Sequence, residues 1–397
     1  MSEGVHSITE TNSIKSPADV RYGIGATGEL AEFAGSEGVE RALVVTDADI
    51  VAAGVLDPIE GALESAGVAV EVFDGVEPEP KLSMVEDAAA ALRADEFDLV
   101  VGAGGGSCMD TAKLASVLAV HDVPVRDTVG MGNAPGAGLA LALLPTTAGT
   151  GSEVTHIGVF SDSEDGGNKV VVYDDQLFSD LSIVDPALTE SLPAGIAAAT
   201  GMDALTHAIE SSVTMLRTPY SDVLARDAIE RIGDNLRAAV HQGAGNDRAR
   251  YEMSFAATTA GKAFVNSGLG AVHALTYPLG IECGIGHGLA NAVLLPHVMA
   301  YNVPAEPEHF AEIARLLGEE RAPGESTLDL AYRSVDAVME LNDDVGIPNH
   351  ISELGDVDPD EFDRFADICF EYSEHNIERN PRDMDHDDVV GVFEDAY

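Results

Sequence analysis

The chain has 397 residues, is 45% hydrophobic, contains no Trp, and carries a formal net charge of −48 at a mean hydropathy of +0.06. That length supports two separate hydrophobic cores. The 69 acidic against 21 basic side chains exclude a phosphate-backbone partner, and no apolar run is long enough to span a bilayer. The acids are dispersed rather than gathered into a tail. Self-repulsion on this scale destabilises a compact chain in dilute buffer, and concentrated salt screens it to about 3 Å at 1 M, so a salt-loving source is expected. Cys108, Cys283 and Cys369 are too scattered for a disulfide framework or a cysteine zinc cluster, and Met1–Gly4 lacks a secretion leader. A reducing cytoplasm is expected.

In chain order, Arg41–Thr46 reads as a buried strand ending at Asp47. Ile50–Ala66 then has helical spacing, Val68–Phe73 is a second strand, Met84–Arg93 a helix, and Phe97–Gly102 a third strand. A helix is predicted from about Met109 to Val120, followed by a short strand at Leu141–Leu144. Such alternation implies a parallel sheet with helices on its faces. Beyond Pro186 helical periods dominate: Gly195–Ser212, Tyr220–Val240, Arg248–Asn266, Gly288–Tyr301, Thr327–Leu341 and Pro359–Tyr372. The pattern divides the chain into an α/β domain over 1–190 and an all-α domain over 191–397.

Between the third strand and its helix lies Gly102-Ala103-Gly104-Gly105-Gly106-Ser107. Glycine allows close backbone approach to a phosphate, and a helix start offers free N–H groups at the positive end of its dipole. The G-x-G-x-x-G fingerprint fails because Ser107 stands where its last glycine is needed. The segment reads either as a diphosphate cradle or as a bare strand-to-helix turn. Asp47 is placed either to bind a ribose hydroxyl or to cap the next helix. The run Pro145–Glu153 (PTTAGTGSE) reads as a dinucleotide loop or as a Thr/Gly connector.

Asp203 and His207, four apart in a helical stretch, share one helix face. With His273 and His287 they make a carboxylate and three imidazoles, a donor set for Fe²⁺ or Zn²⁺. Any one of these histidines alone reads more readily as a satisfied core or helix-cap residue than as a ligand.

GGGSCMDTAK (Gly104–Lys113), PTTAGTGSEVT (Pro145–Thr155), ATGMDALTHAIE (Ala199–Glu210), HALTYPLG (His273–Gly280) and GHGLANAVLLPHVMAYN (Gly286–Asn302) together resemble the iron-containing (group III) alcohol dehydrogenases. The resemblance runs from about residue 20 to the C-terminus. It implies an α/β dinucleotide-binding domain followed by an all-α, metal-binding domain, the dehydroquinate synthase-like architecture. By the resemblance, Asp203, His207, His273 and His287 hold the metal, Fe²⁺ or alternatively Zn²⁺. The cofactor, NAD or alternatively NADP, is expected at Asp47, Gly104, Gly105, Gly106, Ser107, Asp110, Thr146, Thr147, Thr155 and Lys169.

Two departures stand out. Tyr277 replaces the second histidine of H-x-x-x-H-P-L-G, a position assigned to a proton relay; a phenol, with an unperturbed pKa of about 10, is the poorer base. His273 and Tyr277 are thus the catalytic candidates, with Tyr277 read either as relay or as cofactor packing. Glu79 replaces the usual asparagine in Pro78-Glu79-Pro80. The implied reaction is reversible hydride transfer between a small alcohol and NAD(P)⁺, giving an aldehyde or ketone, in a homo-oligomer, expected to be a dimer. The rivals are a hydroxyacid–oxoacid transhydrogenase, a maleylacetate-type reductase, and a glycerol or polyol dehydrogenase.

Overall fold

In each of the central strands the residues alternate between two apolar environments, so both faces of the sheet must be covered. The structure, a computed structural model, describes residues 11–162 and 168–397; the expectation about Met1–Gly4 lies outside the described residues. Within Ser16–Leu192, one of two compact units, the described residues form nine strands: β1 (Val20–Tyr22), β2 (Arg41–Val45), β3 (Ala69–Phe73), β4 (Leu99–Gly104), β5 (Gly130–Met131), β6 (Ala140–Pro145), β7 (Ile157–Asp162), β8 (Asn168–Tyr173) and β9 (Leu181–Val184). Helices α1 (Glu29–Glu37), α2 (Ala48–Ala52), α3 (Asp57–Ser65), α4 (Leu82–Ala94) and α5 (Gly106–Val120) complete it.

Six strands make a parallel sheet in the order β1-β9-β6-β4-β2-β3. Leu43, Val45, Val100, Leu141 and Leu143 point to the core shared with α4 and α5. Their neighbours Ala42, Val44, Leu99, Val101, Ala142 and Leu144 point to the opposite core, with Leu30 of α1 and Ile59 and Leu63 of α3. Burial on both faces explains why β2, β4 and β6 read as continuous apolar runs rather than alternating ones. A smaller sheet, β5-β8-β7, pairs β7 with β8 antiparallel.

Two expectations change. The helical stretch Ile50–Ala66 is two helices, because Gly54 adopts φ +69° and Pro58 opens α3. β4 runs on to Gly104 and α5 starts at Gly106, so the glycine-rich turn narrows to Gly105.

The second unit contains Pro193–Tyr397, joined by residues 11–15 through Lys15, whose backbone N–H donates to Asn266 Oδ1 at 2.7 Å. Its helices are α6 (Ala194–Val213), α7 (Pro219–Gln242), α8 (Asp247–Phe264), α9 (Ala271–Cys283), α10 (His287–Asn302), α11 (Pro307–Leu316), α12 (Thr327–Val345), α13 (Phe362–Ile377) and α14 (His386–Ala396). Thr218 and Ser221 cap the start of α7 reciprocally, and its buried residues Ala225, Ala228, Ile229, Ile232 and Leu236 follow helical spacing. α6 is buried on every side from Gly201 to Val213, as a central helix must be. Helix α9 escaped prediction because Pro278 sits inside it, where periodicity reads as an interruption.

The half-buried His297 of α10 lies 2.9 Å from the Asn349 carbonyl through Nε2. Burial and the neighbouring His350 hold its pKa below the usual 6.5, against the Asn349 bond and Asp395, which raise it. With the folded value depressed, the unfolded chain binds the proton first. Stability therefore falls as pH drops through 6.5 toward the folded value, and is untouched above. His297→Gln should reduce the difference in denaturation midpoint between about pH 7.5 and about pH 5.5; an unchanged difference would show that His297 is not the group responsible.

Candidate active site

In the helical unit, α6 presents Asp203 and His207 one turn apart, α9 presents His273, and α10 begins with His287. Asp203, His273 and His287 each place a ligand-type atom within 4.8 Å of the other two. His207 adjoins this trio: its Nε2 is 3.8 Å from Asp203 Oδ1, and its ring stacks on His273 with centroids 4.8 Å apart. Asp203, His207 and His273 are 2%, 5% and 5% exposed, whereas the His287 side chain is 36% exposed. The cluster therefore opens to solvent on the His287 side. Gly288 makes the approach of α10 to α6 possible, since a Cβ there would lie 2.7 Å from the Ala199 carbonyl oxygen.

Asn291, one turn after His287, was not anticipated. Its side-chain nitrogen is 2.7 Å from Asp203 Oδ1, 3.2 Å from His273 Nε2 and 3.1 Å from His287 Nε2. Three acceptors from three helices thus aim at nearly one point. Thr276 hydrogen-bonds the amide oxygen of Asn291 and so orients the group. Its spacing from His287, in GHGLAN, was the available signal. Burial pushes the Asp203 carboxyl up, but His207, His287, His273 and the Asn291 amide outweigh it and hold the pKa below the usual range. An ionised carboxylate among imidazoles, with lone pairs converging, suits a divalent cation.

In the α/β unit, the connection from β2 to β3 carries α2 and α3, while α4, between β3 and β4, packs on the opposite face. The strand order therefore reverses between β2 and β4, and the carboxyl ends of two such strands are where open α/β sheets bind ligands. Asp47 lies two residues beyond β2 and the glycine turn directly follows β4. No side chain caps α5, leaving its first N–H groups available to an anion. Gly104 is required twice over: its φ is +153°, and a Cβ would lie 2.5 Å from Cys108 Sγ. At Gly105 a Cβ would meet nothing nearer than Thr147, at 3.8 Å, so the turn has an open face beside that threonine.

Four of the remaining candidates, Asp47, Asp110, Thr155 and Lys169, have definite partners. Asp47 caps α2 through Oδ1, which accepts from Ile50 N at 2.9 Å, and its Oδ2 is 3.5 Å from Cys108 Sγ. Asp110 is buried with both oxygens engaged: Oδ1 by Lys113 and Ser152, Oδ2 by the Val159 N–H at 3.0 Å. Thr155 lies 3.1 Å from Lys113 Nζ through its hydroxyl, which also donates to the Ser152 carbonyl at 3.2 Å. Thr146 is buried and Thr147 half-buried in the loop after β6; Gly106 and Ser107 open α5. Lys169 pairs with Glu79 at 2.8 Å. Glu79 holds φ +56°, a conformation an asparagine adopts more readily, and its reach to Lys169 is what the longer acid adds. Tyr277 is half-buried one turn beyond His273, on the same side of α9.

A doubly covered parallel sheet with an open glycine turn at its switch point, and a helical unit with a cation-type cluster, define a metal- and dinucleotide-dependent oxidoreductase. The chain belongs to the iron-containing alcohol dehydrogenase family: the family's models match residues 17–186 (iron-containing alcohol dehydrogenase) and 197–397 (its C-terminal part). It is 44% identical to long-chain-alcohol dehydrogenase 1 of Geobacillus thermodenitrificans (strain NG80-2) over 336 residues, 84% of each chain. The crystal structure of a 1,3-propanediol oxidoreductase superposes with a TM-score of 0.93 at 38% identity, covering 98% of this chain and 100% of that one. The archaeal halo-thermophilic Red Sea brine pool alcohol dehydrogenase superposes at 0.88 and 28% identity, over 99% and 100%. Membership implies NAD(P) and a divalent metal. No helix among the described residues is long and apolar enough to cross a membrane.

Proposed function

We propose that this enzyme interconverts a small alcohol and its aldehyde or ketone, with NAD as the preferred dinucleotide and Fe²⁺ as the preferred cation, in a salt-rich cytoplasm. The observation that carries this reading is the convergence of Asp203, His273 and His287, with His207 beside them. On this reading residues 193–397, with residues 11–15, form the metal-binding domain, and residues 16–192 the dinucleotide-binding domain, in place of a division at 190 that left the N-terminal residues with the sheet. When bound, the cation supplies Lewis acidity toward the alcohol oxygen and the nicotinamide supplies the hydride acceptor. The solvent-facing side of His287 admits substrate, and the buried Asp203, His207 and His273 keep water from the other side.

The uncapped start of α5, with Gly105, Gly106 and Ser107, receives the pyrophosphate, flanked by Thr146 and Thr147. Asp47, its carboxylate fixed by two donors, accepts from the adenosine ribose and repels a 2′-phosphate. Lys169 contacts the cofactor as a cation already shared with Glu79. Asp110 and Thr155 act through Lys113, holding the loop that carries Thr146 and Thr147. Tyr277 passes a proton between substrate and solvent, more slowly than an imidazole at neutral pH.

The salt requirement is supported by the ion pairs. Arg41 is shared by Glu71 and Asp95, and Arg237 pairs with Asp344, yet such exposed pairs leave most acids uncompensated and are worth only about 0–1 kcal/mol each. The three thiols among the described residues are free, which supports the cytoplasm. A homodimer is proposed because β1 is a sheet edge with Tyr22 and Ile24 exposed; a monomer mass by light scattering would remove it.

The deciding experiment is an alcohol panel in several-molar KCl, with Fe²⁺ and Zn²⁺ forms compared and reduced nicotinamide followed by absorbance. Turnover of primary alcohols with NAD⁺, and thermal midpoints that rise with KCl, are expected. Equal turnover with NADP⁺ would remove the cofactor preference, and a midpoint indifferent to salt would remove the halophilic reading. No reduction of either dinucleotide by any alcohol would overturn the proposal.

A further inference from the structure

Glu210 lies on α6 seven residues after Asp203 and three after His207, so all three share one helix face. It is 4% exposed, and a carboxylate so buried must be bonded at both oxygens to be tolerable. Each oxygen has an N–H donor. Oε1 accepts from the backbone N–H of Val272 at 2.6 Å, and Oε2 is 2.6 Å from Nδ1 of His273. Gly270 precedes α9 and offers no side-chain cap, so Glu210 caps that helix from another one.

An ionised carboxylate only accepts hydrogen bonds, which requires the proton of a neutral His273 to sit on Nδ1 and leaves a lone pair on Nε2. The other face of the ring imposes the same choice. His273 Nε2 lies 3.2 Å from the Asn291 amide nitrogen, whose identity as a donor is set by Asp203 Oδ1 at 2.7 Å. Two independent contacts therefore specify one tautomer.

We infer that Glu210 is a positioning residue, which holds His273 as its Nδ1–H tautomer with Nε2 presented to the cation and thereby sets the affinity of the site. The inference rests on the metal reading above. Outer carboxylates that orient a ligand imidazole typically change metal affinity by about 10–100-fold.

The test uses the full chain, freed of metal, with Zn²⁺ affinity measured by chelator competition. In Glu210→Gln the amide keeps the shape of the acid. Whichever way it turns, its NH₂ meets either the Val272 N–H or the His273 Nδ1–H, donor against donor. With the NH₂ toward the ring, His273 relieves the conflict only by moving its proton to Nε2, which removes the ligating lone pair; with the NH₂ toward Val272, the start of the helix that carries His273 loses its cap. Zn²⁺ binding by E210Q should weaken about 10–100-fold, while the same change in a His273→Ala background should have about two-fold effect or less. Affinity for E210Q within about two-fold of the unaltered protein, or an equal loss in the His273→Ala background, would overturn the inference. No Zn²⁺ or Fe²⁺ uptake by the unaltered protein would instead overturn the metal reading itself. Should E210Q not fold, the tautomer decides: ¹⁵N spectra of histidine-labelled, metal-free protein, with His273 assigned by its loss in His273→Ala, must show Nδ1 protonated. An Nε2–H signal there is fatal to the idea.

Discussion

His273→Ala is expected to lower NAD(P)-linked alcohol oxidation by about a thousand-fold or more, because losing several kcal/mol of Lewis-acid stabilisation costs a factor of ten for each 1.36 kcal/mol. The substitution removes one of three converging donor atoms and leaves the buried Glu210 carboxylate without its imidazole partner. Some destabilisation therefore accompanies the loss of activity. Exhaustive chelation separates the two effects, since it leaves the chain unaltered: activity should fall as far, and return when Fe²⁺ is restored. Metal assay beside steady-state kinetics reads both outcomes. Full activity in protein stripped of metal would remove the cation from the mechanism.

Lys113→Met should cost about 3–5 kcal/mol of stability, the usual penalty for deleting one partner of a buried ion pair. Lys113 is 0% exposed. Its Nζ lies 3.1 Å from Asp110 Oδ1, 2.6 Å from Ser152 Oγ, 3.1 Å from Thr155 Oγ1 and 2.9 Å from the Ile157 carbonyl. One ammonium thus ties α5 to the loop after β6 and to the start of β7. Burial depresses its pKa, against the attraction of Asp110 and Glu153. Methionine fills the space but leaves the Asp110 charge without its cation. The change in urea midpoint, measured in molar KCl, checks the figure; a loss below about 1 kcal/mol would place the pair among weak surface bridges. Because the tied loop carries Thr146 and Thr147, dinucleotide affinity should weaken alongside.

The parallel sheet and the helical second half were legible from local pattern. Runs such as Leu43–Val45 and Leu141–Leu144 are apolar throughout because each strand is covered twice, and the periods of α7 and α12 follow from one buried face apiece. The antiparallel pair β7–β8 was not anticipated: β7 alternates in burial but places Gly158 and Asp162 on its buried side and Ile157 and Val159 on the other, so polarity does not follow exposure, and β8 is half-buried except at Val172. Helix α9 was hidden by Pro278, although it bears His273.

Asp203 and His207 were readable as a pair because four residues make about one helical turn, a distance the covalent chain itself sets. Their meeting with His273 and His287 was not local information, since no spacing in sequence places three helices side by side. Residue order alone therefore specified the donor types, the glycine turn and the acidic excess. Packing decided the rest: that Asn291 sits among the donors, that Lys113 consumes Asp110, and that Glu210 faces His273 Nδ1. Those contacts join residues 3 to 88 apart along the chain, and only burial of the surrounding apolar faces brings the distant ones within hydrogen-bond reach.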